Sequence, residues 1–88
     1  MIRKDLVILN KLGLHARAAS HLVKTASAFG SSIAIEKSGA RADAKSIMGL
    51  MQLAAAKGHT VTIIADGPDE DAAMEAVEGL IRARFNEE

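Results

Sequence analysis

Eighty-eight residues allow one domain, spanning 1–88, and leave no room for a second. A hydrophobic fraction of 49% excludes a disordered chain, and two aromatics, Phe29 and Phe85, are too few for recognition by base stacking, so no nucleic-acid partner is expected. Zero net charge gives no overall field for a polyanion or an anionic membrane, and the lack of cysteine removes disulfides, thiolate chemistry and Cys-based zinc sites.

The charges are nevertheless unevenly placed. Residues 1–59 hold nine Lys/Arg against three Asp/Glu and residues 60–88 hold two against eight, so a segment of +6 precedes one of −6. The charged N-terminus lacks the apolar stretch of a signal peptide and no run is long enough to span a bilayer, which predicts a soluble cytoplasmic protein, monomeric by default. A domain of this size buries only about 60–65% of its extended surface, so a ligand is expected on the outside.

Residues 2–9 are rich in branched apolar side chains and read as a strand, followed by a loop through Gly13. Ala19, Leu22, Val23, Ala26 and Phe29 then form an amphipathic helical stripe, which predicts a helix to about residue 28 with Gly30 as its C-cap. Ile33 and Ile35 alternate within Ser32 to Lys37, and Ser38-Gly39 turns that strand into a second arm near 40–43. Ser46 suits the cap of a short helix to about Ala55, ended by Lys57-Gly58. Thr60 to Asp66 is the last strand. Gly67-Pro68 then leads into a helix with Asp69, Glu70 and Asp71 in its opening turn and a core stripe of Ala73, Val77, Leu80, Ile81 and Arg84-Phe85. The order β-α-β-β-α-β-α, too short to cover both faces of a sheet, predicts a two-layer α+β sandwich.

The start of the first helix breaks the local rules. His15, Ala16 and Arg17 stand there, and no carboxylate occurs between Asp5 and Glu36, although a helix N-terminus favours negative charge and the last helix supplies three acids. The missing charge is one that a phosphate would provide, which points to an anion site. A neutral imidazole at His15 can also accept a phosphoryl group on nitrogen, to be held by helix amides and the forked guanidinium of Arg17. The alternative, an exposed loop histidine beside an ordinary surface cation, is not decided by spacing. His21 and His59 receive no role, and the three histidines have neither carboxylate partners at metal-ligand spacing nor a Gly-rich nucleotide loop beside them.

Lys45 to Leu53 places apolar residues on more than one side of a short helix. If Leu50, Leu53 and Ala54 pack inward, Ile47, Met48 and Met51 form an outward patch suited to contact with several partners; the alternative is that the whole set is core. Ser46 on its own residues is a helix cap.

The strings Gly13-Leu14-His15-Ala16-Arg17 and Lys45-Ser46-Ile47-Met48-Gly49-Leu50 resemble the two signatures of HPr, the histidine-containing phosphocarrier family of the phosphoenolpyruvate-dependent phosphotransferase system. The likeness runs through essentially the whole chain. It implies an open-faced sandwich with an antiparallel sheet in the order 1-4-2-3, covered on one face by three helices. It further implies that His15 takes a phosphoryl group on Nδ1 from enzyme I and passes it to an EIIA-type protein, acting as a stoichiometric carrier without a cofactor or metal. Arg17 and the amides of Ala16 and Arg17 would hold the group, and Leu14, Ile47, Met48 and Met51 would dock partners. Ser46 would be the target of an HPr kinase/phosphorylase. Ala18 stands where many relatives have Pro and Leu12 where many have Asn, and the string around His15 also resembles the nitrogen-branch relative NPr. Two other classes remain as alternatives: a docking module that never carries phosphate, and a conventional enzyme using His15 as general base, for which no second catalytic group is evident.

Overall fold

The computed structural model describes residues 1–87. Its elements follow the expected order: β1 (Ile2–Val7), α1 (Ala16–Ala26), β2 (Ser32–Lys37), β3 (Ala40–Asp43), α2 (Ile47–Gln52), β4 (Thr60–Asp66) and α3 (Glu70–Arg82). The four strands form one antiparallel sheet in the order β1-β4-β2-β3, with the three helices on one face as an open-faced α+β sandwich. β4, last in the chain, lies between the first two strands: Val7 pairs with Thr60, Ile2 with Ala65, and Ile35 with Ile63 on the other side.

Strand alternation sorts the side chains. Leu6, Ile33, Ile35, Val61, Ile63 and Ala65 face the helices and join Ala19, Leu22, Leu50, Val77 and Ile81 in one buried core. The opposite face carries a polar network in which Arg3 and Arg41 donate to Glu36 at 3.5 and 3.3 Å and Thr62 donates to Asp5 at 2.7 Å. The β2–β3 hairpin turns on Ser38 and Gly39, at φ 52° and 86°, a pair of left-handed residues matched to strand twist.

Four expected boundaries move, among them that of α1, which ends at Ala26 with Ser27 in place of Gly30 as its C-cap. β1 ends at Val7, yet Ile8 stays buried and keeps two backbone bonds, from its N–H to His59 at 2.9 Å and from Gly58 to its carbonyl at 2.8 Å. α2 ends at Gln52 rather than Ala55, because Ala54 turns left-handed at φ 52° and is exposed instead of packing inward. Lys37 terminates it from a distance, donating to the carbonyls of Leu53 and Ala54 at 3.1 Å each. Gly58 belongs to the turn before β4.

α3 buries the expected stripe and Met74 as well, then stops at Arg82. Arg84, Phe85 and Asn86 follow at φ 56°, 54° and 60°, three successive left-handed non-glycine residues, each costing about 1–2 kcal/mol. Phe85 is buried as expected, whereas Arg84 lies at the surface. Phe85 anchors this turn in the core, and the turn directs residue 87 back toward the start of α1.

Candidate phosphoryl site at the start of α1

Asn10, fully buried, fixes the loop that presents the site by donating from Nδ2 to the carbonyl of Gly13 at 2.7 Å. Gly13 sits at φ 64° where a β-carbon would run into the Ala55 carbonyl and lie 2.9 Å from the Ala56 α-carbon, a position only glycine can fill. The N–H of Leu14 then donates to the Ala55 carbonyl at 2.9 Å and its side chain is buried, 5% exposed. Leu14 is therefore a core residue and not part of an exposed docking surface, a correction to the expectation from the motif.

His15 comes next, extended at φ −76° and ψ 178°, and is the N-cap of α1; its carbonyl accepts the Ala19 N–H at 2.8 Å. Its side chain makes no cap bond, and the first turn contains no acid. Ala16 and Arg17 are exposed at the positions whose amides have no partner within a helix. Lys11, Leu12, His15, Ala16, Arg17 and Glu87 line an open recess of about 580 Å³.

The negative charge that the sequence lacks locally arrives from the other end of the chain. His15 Nε2 donates to Oε2 of Glu87, and Asn10 Nδ2 donates to Oε1 of the same carboxylate at 3.0 Å. Burial opposes ionisation of Glu87, but the bonds from Asn10 and His15, with the charges of His15 and Arg17, outweigh it and hold the carboxyl below its ordinary range. Sequence reasoning missed Glu87. The signal that could have found it was the acidic character of the last third of the chain, which had to compensate the basic remainder somewhere.

The second motif behaves largely as expected. Ser46 caps α2, accepting the Gly49 N–H on Oγ at 3.2 Å. Leu50 and Leu53 are buried, while Ile47, Met48 and Met51 are 40%, 73% and 45% exposed, so the apolar set is not all core. Leu12, at 67%, is a further exposed apolar side chain. His21 lies on α1 away from the recess lining, and His59 has a local task, accepting the Ala56 N–H on Nδ1 at 3.0 Å. No cluster of three metal-binding side chains occurs among the described residues.

The family model described as the HPr component phosphorylation site of the phosphotransferase system matches residues 2–83. The chain belongs to the HPr family. Phosphocarrier protein HPr of Cupriavidus necator is 52% identical over 87 residues, covering 99% of this chain and 98% of that one. Phosphocarrier protein NPr of Shewanella violacea is 42% identical, covering 98% and 94%. The crystal structure of HPr-C-His from Thermoanaerobacter tengcongensis superposes with a TM-score of 0.96 at 45% identity, covering 100% of this chain and 99% of the other. This HPr-family chain is thus a phosphocarrier component of the phosphotransferase system.

Proposed function

We propose that His15 is the phosphoryl acceptor, loaded by phospho-enzyme I and discharged to a histidine of an EIIA-type protein in sugar uptake or its regulation. The observation that carries this reading is the position of the ring: N-cap of α1, in an open recess, beside two exposed amide positions and Arg17. The positive end of a helix favours the dianion, and a guanidinium adds forked donors. Because the recess is open, a partner's phosphohistidine can reach the ring in line, and a site that positions the group without enclosing it can also release it. The carrier acts stoichiometrically, each protein holding one group between two partners.

Ile47, Met48 and Met51 supply the docking surface, with flexible side chains suited to donor and acceptor in turn. Ser46 is only partly exposed and precedes that surface directly, so a kinase that phosphorylates it would add about −1.5 to −2 charges there and weaken docking. No helix among the described residues is long and apolar enough to cross a membrane, which accords with a cytoplasmic carrier. Incubation with enzyme I and phosphoenolpyruvate tests the reading: acid-labile phosphate is expected on the wild type and none on His15→Ala, and equal labelling of both would overturn it.

A further inference from the structure

The carboxylate beside His15 occupies only one of the two ring nitrogens. A neutral imidazole carries one proton; when Nε2–H donates to a carboxylate, the lone pair is left on Nδ1. The structure places such a carboxylate on Nε2, supplied by Glu87, and fixes it independently through Asn10, whose own amide is tied to Gly13 of the same loop. The side chains of His15 and Glu87 are 26% and 12% exposed, so the contact is partly shielded from water while the recess beside it stays open. Phe85, two residues earlier, is buried in the core and ties this end of the described chain to it.

We propose that Glu87 is a positioning residue for phosphoryl transfer, holding the Nε2 proton of His15 so that Nδ1 is the nucleophile. This rests on the reading of His15 as the acceptor. In the loading step the Nδ1 lone pair forms the new N–P bond while the P–N bond on the donor breaks, and that electron pair returns to the donor nitrogen. The proton on Nε2 stays between the ring and Glu87, whose negative charge balances the positive charge that the ring gains. Unloading reverses these movements, with the pair of the broken bond returning to Nδ1. The arrangement is analogous to a carboxylate that fixes the tautomer of a catalytic histidine, with the acid brought from the C-terminal end of the domain.

The test compares wild type, Glu87→Ala and Glu87→Gln by the 15N shifts of the His15 ring, the rate of phosphoryl uptake from phospho-enzyme I, and the thermal midpoint. Glutamine keeps an acceptor oxygen without the charge. In wild type the ring is expected with its proton on Nε2. Glu87→Ala is expected to mix the tautomers and slow uptake about tenfold, the low end of the cost of removing a partner from a histidine's second nitrogen at metal sites. Glu87→Gln should recover the wild-type tautomer and part of the rate, although both variants are expected to melt somewhat below wild type, since folding lowers the pKa of the carboxylate they lack. An unchanged tautomer in Glu87→Ala, or a changed tautomer with unchanged uptake, overturns the role of Glu87. A wild-type protein that takes no label on His15 overturns the acceptor reading instead, a failure visible before any variant is compared.

Discussion

The entrances of α1 and α3 solve one electrostatic problem by opposite routes. α3 begins with Glu70 and Asp71 in its first turn, acids supplied locally. Its N-cap Asp69 turns away from its own helix and accepts the N–H groups of Gly30 and Ser31 at 2.9 Å each, together with the Ser31 hydroxyl, so its carboxylate also clasps the segment after α1. α1 begins with no acid, and its compensating carboxylate comes from Glu87 at the far end of the sequence. A charge in the first turn is a permanent fixture of the fold. A charge delivered by a side chain from elsewhere leaves the first-turn amides open to another anion, which the proposed carrier role requires of α1 and not of α3.

The largest expected effects come from the glycines that bring each entrance to its neighbours. Gly13→Ala would drive a methyl group into the Ala55 carbonyl and to 2.9 Å from the Ala56 α-carbon at a left-handed φ, and is expected to destabilise by about 3 kcal/mol in urea unfolding. Gly67→Ala meets Ser31 at 2.7 Å from its α-carbon and should cost about 2 kcal/mol, also by urea unfolding. If both variants unfold like wild type, neither entrance depends on the close approach described for it.

Ala16→Asp would give α1 the kind of acid that α3 already has, and it separates stability from function. It is expected to slow phosphoryl uptake about tenfold through repulsion of the incoming group, while raising stability by about 0.5 kcal/mol. Faster uptake would refute the argument that the absent acid serves the anion. Ser46→Ala removes a single cap bond and should lower stability by about 1 kcal/mol, with phosphoryl uptake by the unmodified protein unchanged.

The gentlest expectation concerns pH. The Ser31 hydroxyl, and next the Gly30 amide, hold the Asp69 carboxyl below its usual range in the folded protein despite opposing desolvation. A carboxyl lowered by folding stabilises above its unfolded value of about 4, and that contribution is lost as pH falls through the folded value. Urea midpoints of wild type and Asp69→Asn should therefore differ at pH 7 and converge as the solution is acidified below about pH 4. A constant difference down to pH 2 would detach Asp69 from the acid response.

Much of this molecule was legible because its elements obey short-range periodicities. Ile33 and Ile35 marked a strand, Ala19 and Leu22 a helix, and Ser38-Gly39 a tight turn, each through residues at most a few positions apart. The end of α2 was not legible, since a lysine sixteen residues before Leu53 closes it through space. The start of α1 was legible as an anomaly, but its partner was not: Glu87 lies 72 residues from His15, and the stripe through Phe85 suggested more helix where the backbone turns left-handed. Leu14 was misplaced because motif membership does not say which neighbours of a reactive residue are anchors; its burial follows from the stapled backbone around it.

The central position of β4 bears on how the chain acquires its shape. Val7 must wait for Thr60, fifty-three residues later, and no sheet joining the first strand to the second exists until the segment ending at Asp66 is available. Closing so long a loop before any ladder forms makes assembly of the sheet a late, concerted event. On the ribosome the early segments would emerge as separate hairpin and helix, and a nascent chain stalled before residue 60 would have no completed sheet on which α1 could settle.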